Sequence, residues 1–154
     1  MPPRRGGDLN WPNGPVGTQT STATSHILPL PPKRAPTLHE WIAVRQRLGQ
    51  IAGLSSGWND GQGAAPDRQT ISFAIQQLAD LERQGLPAPV INPSPDGAIY
   101  AEWHTRGLDI ELIFEGPYQV IVLAEDTRNE IDAIDCEGTD ISIANPVLKI
   151  LSMR

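Results

Sequence analysis

The sequence predicts an α+β fold: two helices packed on one face of a small antiparallel β-meander, behind a disordered N-terminal arm. Three observations carry this. Apolar residues recur with a helical period in two segments that end near residue 85, and the period changes to two from residue 90. Residues 1–36 show no period and are loaded with Pro, Gly, Ser and Thr. Helices followed by a run of strands is the ordering expected of the α+β class.

The arm closes on LPLPPKRAP, a polyproline-like stretch, and a single domain is expected from 37 to 154, with 127–154 the least defined part. Thr37-Leu38-His39-Glu40 has the form of a capping box. Leu38, Trp41, Ile42, Val44, Leu48 and Ile51 follow at mostly helical spacing, so a helix is expected over 38–52, stopped by Gly53. Next comes GWNDGQGAAP, a run of turn formers around Trp58. A second helix is expected after Pro66, which starts it with its φ already set, with Asp67 or Pro66 near its first turn. Ile71, Ala74, Ile75, Leu78 and Leu81 mark its apolar stripe, and Gly85 ends it before LPAP.

PSPDG at 93–97 is a second knot of turn residues, placed before the first strong strand. In AIYAEWH, Ile99, Ala101 and Trp103 share one face, and in LDIELIF, Leu108, Ile110, Leu112 and Phe114 share another. Arg106-Gly107 makes a natural two-residue turn between them. Pairing about it sets Trp103 against Ile110, Ala101 against Leu112 and Ile99 against Phe114, a self-consistent register. QVIVLA (119–124) supplies a third strand. A short strand at 140–143 and a terminal helix from Pro146 complete the expectation.

The net charge of −6 hides an asymmetry. Residues 1–36 carry Arg4, Arg5, Lys33 and Arg34 against Asp8, a balance of +3, which leaves −9 for the remainder. An acidic body argues against direct binding to nucleic acid phosphates and suits a protein partner with a basic surface. The candidate partner-binding residues are Glu125, Asp126, Glu130, Asp132, Asp135, Glu137 and Asp140, against Arg128 alone. The bland reading of such a run is solubility. Cys136 is the single cysteine, so neither an internal disulfide nor a cysteine zinc site is available. With no apolar run near 18 residues and no signal-peptide core, neither membrane association nor secretion is expected, and a cytoplasmic location is the default.

Chemistry has few places to reside. The hairpin register puts Glu102 opposite Glu111 and His104 opposite Asp109, and like charges directly across a pair are destabilising. A divalent metal held by these four would offset the cost and suit a metal-dependent hydrolase or nuclease. The bland reading is a solvated outer face with an ordinary His–Asp pair. His26 lies in the arm, which leaves His39 and His104 as ordered acid–base candidates, and no phosphate-binding glycine fingerprint precedes a helix. No cofactor or resident metal is expected. The two knots have a structural reading as corners that fix helix pairing and the start of the sheet, built from Trp58, Asp60, Gly61, Gly63, Pro66, Pro95, Asp96, Gly97 and Trp103. Trp58 is expected at the seam where both helices meet the sheet.

The two knots also carry a resemblance. Trp58, Asp60, Gly61, Gly63 and Pro66, then a helix, then Pro93, Pro95, Asp96, Gly97, Glu102 and Trp103 resemble a set of small uncharacterised bacterial proteins. Their shared pattern is W-x-D-G-x-G-x-x-P, a helix, then P-S/T-P-D/E-G ahead of an E-W strand. It covers about residues 48–126 and departs at Gln62, where an aromatic or acidic residue is usual. No activity is established for that family, so no catalytic role carries over; proteins of this look travel with mobile elements or accompany another gene product. Together these readings point to a non-enzymatic acidic module that regulates or inhibits a protein partner, with oligomeric state left open. An antitoxin, an immunity protein or an inhibitor of a nucleic-acid-handling complex such as a phage-defence system would fit. The metal-dependent hydrolase is the alternative.

Overall fold

The computed structural model describes residues 38–154. The arm, its proline stretch, His26 and Thr37 of the capping box lie outside the described residues. Helix α1 spans Leu38–Ala52 and buries Trp41, Val44, Leu48 and Ile51 of the predicted stripe, whereas Leu38 and Ile42, expected with them, are exposed. Helix α2 spans Arg68–Arg83 and buries Ile71, Phe73, Ala74, Leu78 and Leu81. Its cap is Asp67, whose Oδ1 accepts from the Thr70 amide at 2.8 Å, with the Thr70 hydroxyl donating to Oδ2 at 3.0 Å. Pro66 therefore does not start the helix: it sits one residue before the cap, buried. A side chain that can accept from the N3 amide outcompetes a preset φ for the capping position. At the other end Gly85 takes a φ of 74°, Leu86 N donates to Leu81 O and Gly85 N to Glu82 O. These paired bonds form a Schellman ending, which needs a left-handed residue at this point.

The two helices run antiparallel, tied where Trp41 Nε1 donates to Leu86 O at 3.0 Å and where Arg45 pairs with Glu82. The sheet is a five-stranded antiparallel meander in chain order: β1 (Val90–Pro93), β2 (Ile99–Thr105), β3 (Leu108–Gly116), β4 (Gln119–Asp126) and β5 (Ile134–Gly138). The β2–β3 register matches the sequence pairing, with Ile99 opposite Phe114, Ala101 opposite Leu112 and Trp103 opposite Ile110. Arg106 and Gly107 both have positive φ, 52° and 82°, as a type I′ turn requires.

The tail differs from expectation. Residues 141–144 form a 3₁₀ turn rather than a strand, and the fifth strand lies earlier, at 134–138. Asp140 decides this locally: its carboxylate accepts from Ser142 N at 2.8 Å and starts a helical turn, while buried Gln77 of α2 accepts from Ile141 N at 2.9 Å. A third helix, α3 (Asn145–Met153), follows with Pro146 in its first turn, and buries Val147, Leu148 and Leu151. One core joins the inward residues of all three helices to those of the sheet: Ile91, Ile99, Ala101, Trp103, Leu108, Ile110, Leu112, Phe114, Val120, Val122 and Ala124. Among the described residues no helix is long and apolar enough to cross a membrane.

The two knots meet. Residues 57–63 close as a small loop, with Gly57 N donating to Gly63 O and Asn59 and Gln62 exchanging both backbone bonds at 2.9 Å. Ala64 N then donates to Pro95 O at 2.8 Å, joining the first knot to the second. Within the second, Asp96 Oδ1 accepts from Ala98 N at 3.1 Å, which lowers the Asp96 pKa together with the Ser94 hydroxyl, the larger cause. Gly97, at φ 92°, lies where a Cβ would rest against Ala64 and Ala65. Trp58 is only half-buried and donates through Nε1 to Ala64 O at 3.0 Å, inside its own loop. The seam expected for it belongs to Trp41 and Trp103, which bond the successive carbonyls of Leu86 and Pro87. Trp58 satisfies its indole locally in a loop, whereas Trp41 on the apolar stripe of α1 and Trp103 on the inward side of β2 are carried into the core.

Candidate functional site: an acidic sheet face

Alternation sends every second residue of each strand away from the helices, and no described element covers that outer face. The register arranges it in rows across the strands. One row reads His104, Asp109, Glu125; the next reads Val90, Glu102, Glu111, Leu123, Asp135; the third reads Asn92, Tyr100, Ile113, Ile121, Glu137. Glu115 and Gln119 lie beyond, at a register shift between Phe114 and Gly116. Among the described residues, seven carboxylates thus share one face (Glu102, Asp109, Glu111, Glu115, Glu125, Asp135 and Glu137), with His104 the only titratable base and no Lys or Arg in these rows.

Short-range bonds hold some of these groups. Asn92 Nδ2 donates to Glu102 Oε2 at 2.9 Å, and Gln119 Nε2 donates to Glu115 at 3.1 Å and to Glu137 at 3.2 Å. His104 Nδ1 lies 2.9 Å from Asp109 Oδ1, both side chains about half exposed. That bond raises the His104 pKa against the opposing desolvation, and the charges of Asp109, Glu102 and Glu111 raise it further. His104, Asp109, Glu111, Leu123, Ala124 and Glu125 line one open depression.

The four residues suggested as a metal or catalytic cluster do stand on neighbouring rows, yet they do not converge. Among the described residues no group of three or more His, Cys, Asp or Glu is placed to hold a metal ion. Glu102 and Glu111 stand opposite each other across β2 and β3, and Glu102 is bonded by Asn92.

The acidic run 125–140 divides. Glu125, Asp135 and Glu137 join the outer face, Asp132 is exposed in the β4–β5 loop, and Asp140 caps the 3₁₀ turn. Asp126 is the correction. Its side chain is fully buried, bonded by Arg154 Nη1 at 3.0 Å and Nη2 at 2.7 Å, and it accepts from the amides of Arg128 and Glu130. The Arg154 guanidinium first, and those amides after it, hold the Asp126 carboxyl well below the usual carboxylate range despite the opposing desolvation. Glu130 accepts a second bond from the same arginine at 2.6 Å. Asp126 is therefore a structural residue, not a partner contact. Parity could have found this: Val120, Val122, Ala124 and Asp126 all fall on the inward side of β4. The same parity, extended over five strands, would have added Glu115, Tyr100, Ile113, Ile121 and Leu123 to the outer face.

Compared with protein-family models, curated proteins and solved structures, the chain has no match in any of the three.

Proposed function

We propose that this chain is a non-enzymatic acidic binding module whose outer sheet face engages a basic surface on a protein partner and so regulates or inhibits it. The observation that carries this reading is the set of seven carboxylates on one face without a lysine or arginine among them. A face of this kind repels nucleic acid phosphates and attracts surfaces built to bind them. The partners that fit are basic proteins: the toxin of an antitoxin pair, the target of an immunity protein, or a nucleic-acid-handling complex of a phage-defence system. The resemblance to small bacterial proteins that accompany other gene products supports the same reading. A cytoplasmic setting is part of it.

The test is affinity capture from nuclease-treated lysate of the native host. It compares the wild-type chain with a variant carrying Glu102→Gln, Glu111→Gln, Glu125→Gln, Asp135→Asn and Glu137→Gln. The expected result is one stoichiometric protein on the wild type, released as salt rises from about 0.1 to 1 M and the screening length falls from ~10 to ~3 Å, and absent from the variant. A partner retained equally by both chains sinks the reading.

A further inference from the structure

The outer face departs from ordinary alternation in its middle. An antiparallel sheet with one solvated face is expected to present polar residues there. Instead the third row carries Tyr100, Ile113 and Ile121 side by side on β2, β3 and β4, and Leu123 adjoins them one row away. Ile113 is only 7% exposed, and Tyr100, Ile121 and Leu123 are half-buried. Glu102, Glu111 and Asp135 line one side of this ridge; Glu115 lies on the other and Glu137 closes its end.

We infer that the face receives an amphipathic α-helix of the partner, with its apolar stripe on Tyr100, Ile113, Ile121 and Leu123 and its lysines and arginines on the flanking carboxylates. This deepens the acidic-face reading and rests on it. The dimensions agree. Strands ~4.8 Å apart place Tyr100 and Ile121 about 10 Å from one another, near two turns of helix. Apolar residues at i, i+3 or i+4, and i+7 cover that distance. Lys and Arg beside such a stripe lay their stems on apolar surface and carry their charges outward, where the carboxylates stand. A strand-like ligand has less to pair with at the β1 edge, since Arg47 Nε already donates to Ile91 O and Pro93 has no amide to offer.

The test uses the full chain and two synthetic peptides of about 16 residues, roughly 24 Å of helix, both made of leucine, lysine and arginine. One places leucine at helical spacing; the other has the same composition shuffled so that no stripe forms. Binding is read by fluorescence polarisation and helicity by circular dichroism, with Ile121→Ser and Leu123→Ser chains alongside the wild type. The expected result is about tenfold tighter binding of the striped peptide, with a gain in helicity, and a loss of about tenfold on either serine variant. Equal affinity for both peptides overturns the helix inference and leaves the acidic-face reading standing. No binding of either peptide overturns both. Self-association of the chain that Leu123→Ser abolishes would make the ridge a seam between copies and also overturn it.

Discussion

Replacing Glu111 by glutamine removes one of two carboxylates that face each other across β2 and β3. Directly opposed residues have Cβ atoms about 5 Å apart, and flexible glutamates can splay their charges to ~7 Å. At that separation two unit charges repel by about 0.6 kcal/mol in water. Asp109 and Glu125 stand on the adjacent row and add to it, and partial burial lowers the local dielectric. Against this gain there is little to lose, because Glu111 accepts no side-chain hydrogen bond from another described residue, whereas Glu102 is held by Asn92. Glu111→Gln is therefore expected to stabilise the fold by ~0.5–1 kcal/mol at low ionic strength, which corresponds to a midpoint rise of about 2–5 °C. The assay is urea unfolding at pH 8, followed through the buried indoles of Trp41 and Trp103, at low salt and in 0.5 M NaCl with its shorter screening length of about 4 Å. The increment should fall by more than half in high salt, with an unchanged slope against urea. A loss of stability, or a gain indifferent to salt, would refute the repulsion argument.

Four further outcomes follow from the geometry. Trp41→Phe strands the buried Leu86 carbonyl and leaves a void, so urea unfolding should show a loss of about 2–3 kcal/mol; a loss below ~1 kcal/mol would mean that the indole bond is dispensable. Asp67→Ala removes the α2 cap and should cost about 1 kcal/mol by the same assay, with serine at that position recovering most of it. Asp126 has a folded pKa below its unfolded value, so its contribution is complete above about pH 4 and fades as pH falls toward the depressed value. Asp126→Asn should therefore be less stable at neutral pH and lose less stability than wild type between pH 4 and 2; parallel acid curves would contradict the Arg154 pairing. Titration with Mg²⁺ or Mn²⁺ should raise the melting temperature no more than an equal ionic strength of NaCl, and a saturable rise abolished by Glu102→Ala with Glu111→Ala would reinstate metal chemistry.

Much of this architecture was readable because two periodicities were clean. The α1 stripe, the α2 stripe and the β2–β3 pairing each repeat one kind of contact over several residues, so a single misplaced side chain could not hide them. Reading failed where one residue carried the decision. Asp67 displaces Pro66 as the start of α2 through one carboxylate–amide bond, and Asp140 turns Ile141-Ser142-Ile143, two β-branched residues around a serine, into a 3₁₀ turn. Strands β1 and β5 were hard to see for a different reason. VINP ends in proline, and IDCEG alternates acids with half-buried residues, so neither holds enough apolar area to announce a strand without its neighbour. The candidate site followed the same division. Glu102 with Glu111 and His104 with Asp109 came from a local register, but the continuous face needs β4 and β5 placed beside them. Treating 125–140 as one linear acidic run concealed that Asp126 and Glu130 are engaged by Arg154, distant in sequence.

The strand order has a kinetic meaning. Each strand pairs with its neighbour in the chain, so no long loop must close before the sheet can grow. Topologies of that kind fold quickly, and an isolated hairpin closes in about 1–10 μs. Closing β2 onto β3 is also the step that brings Glu102 against Glu111, and adding β4 brings Glu125 beside Asp109. The repulsion among these carboxylates is thus met as the hairpins close, before all three helices need have docked on the other side. Salt should accelerate refolding more than it slows unfolding, and a basic partner present during synthesis would act on the zipping of the sheet as well as on the finished surface.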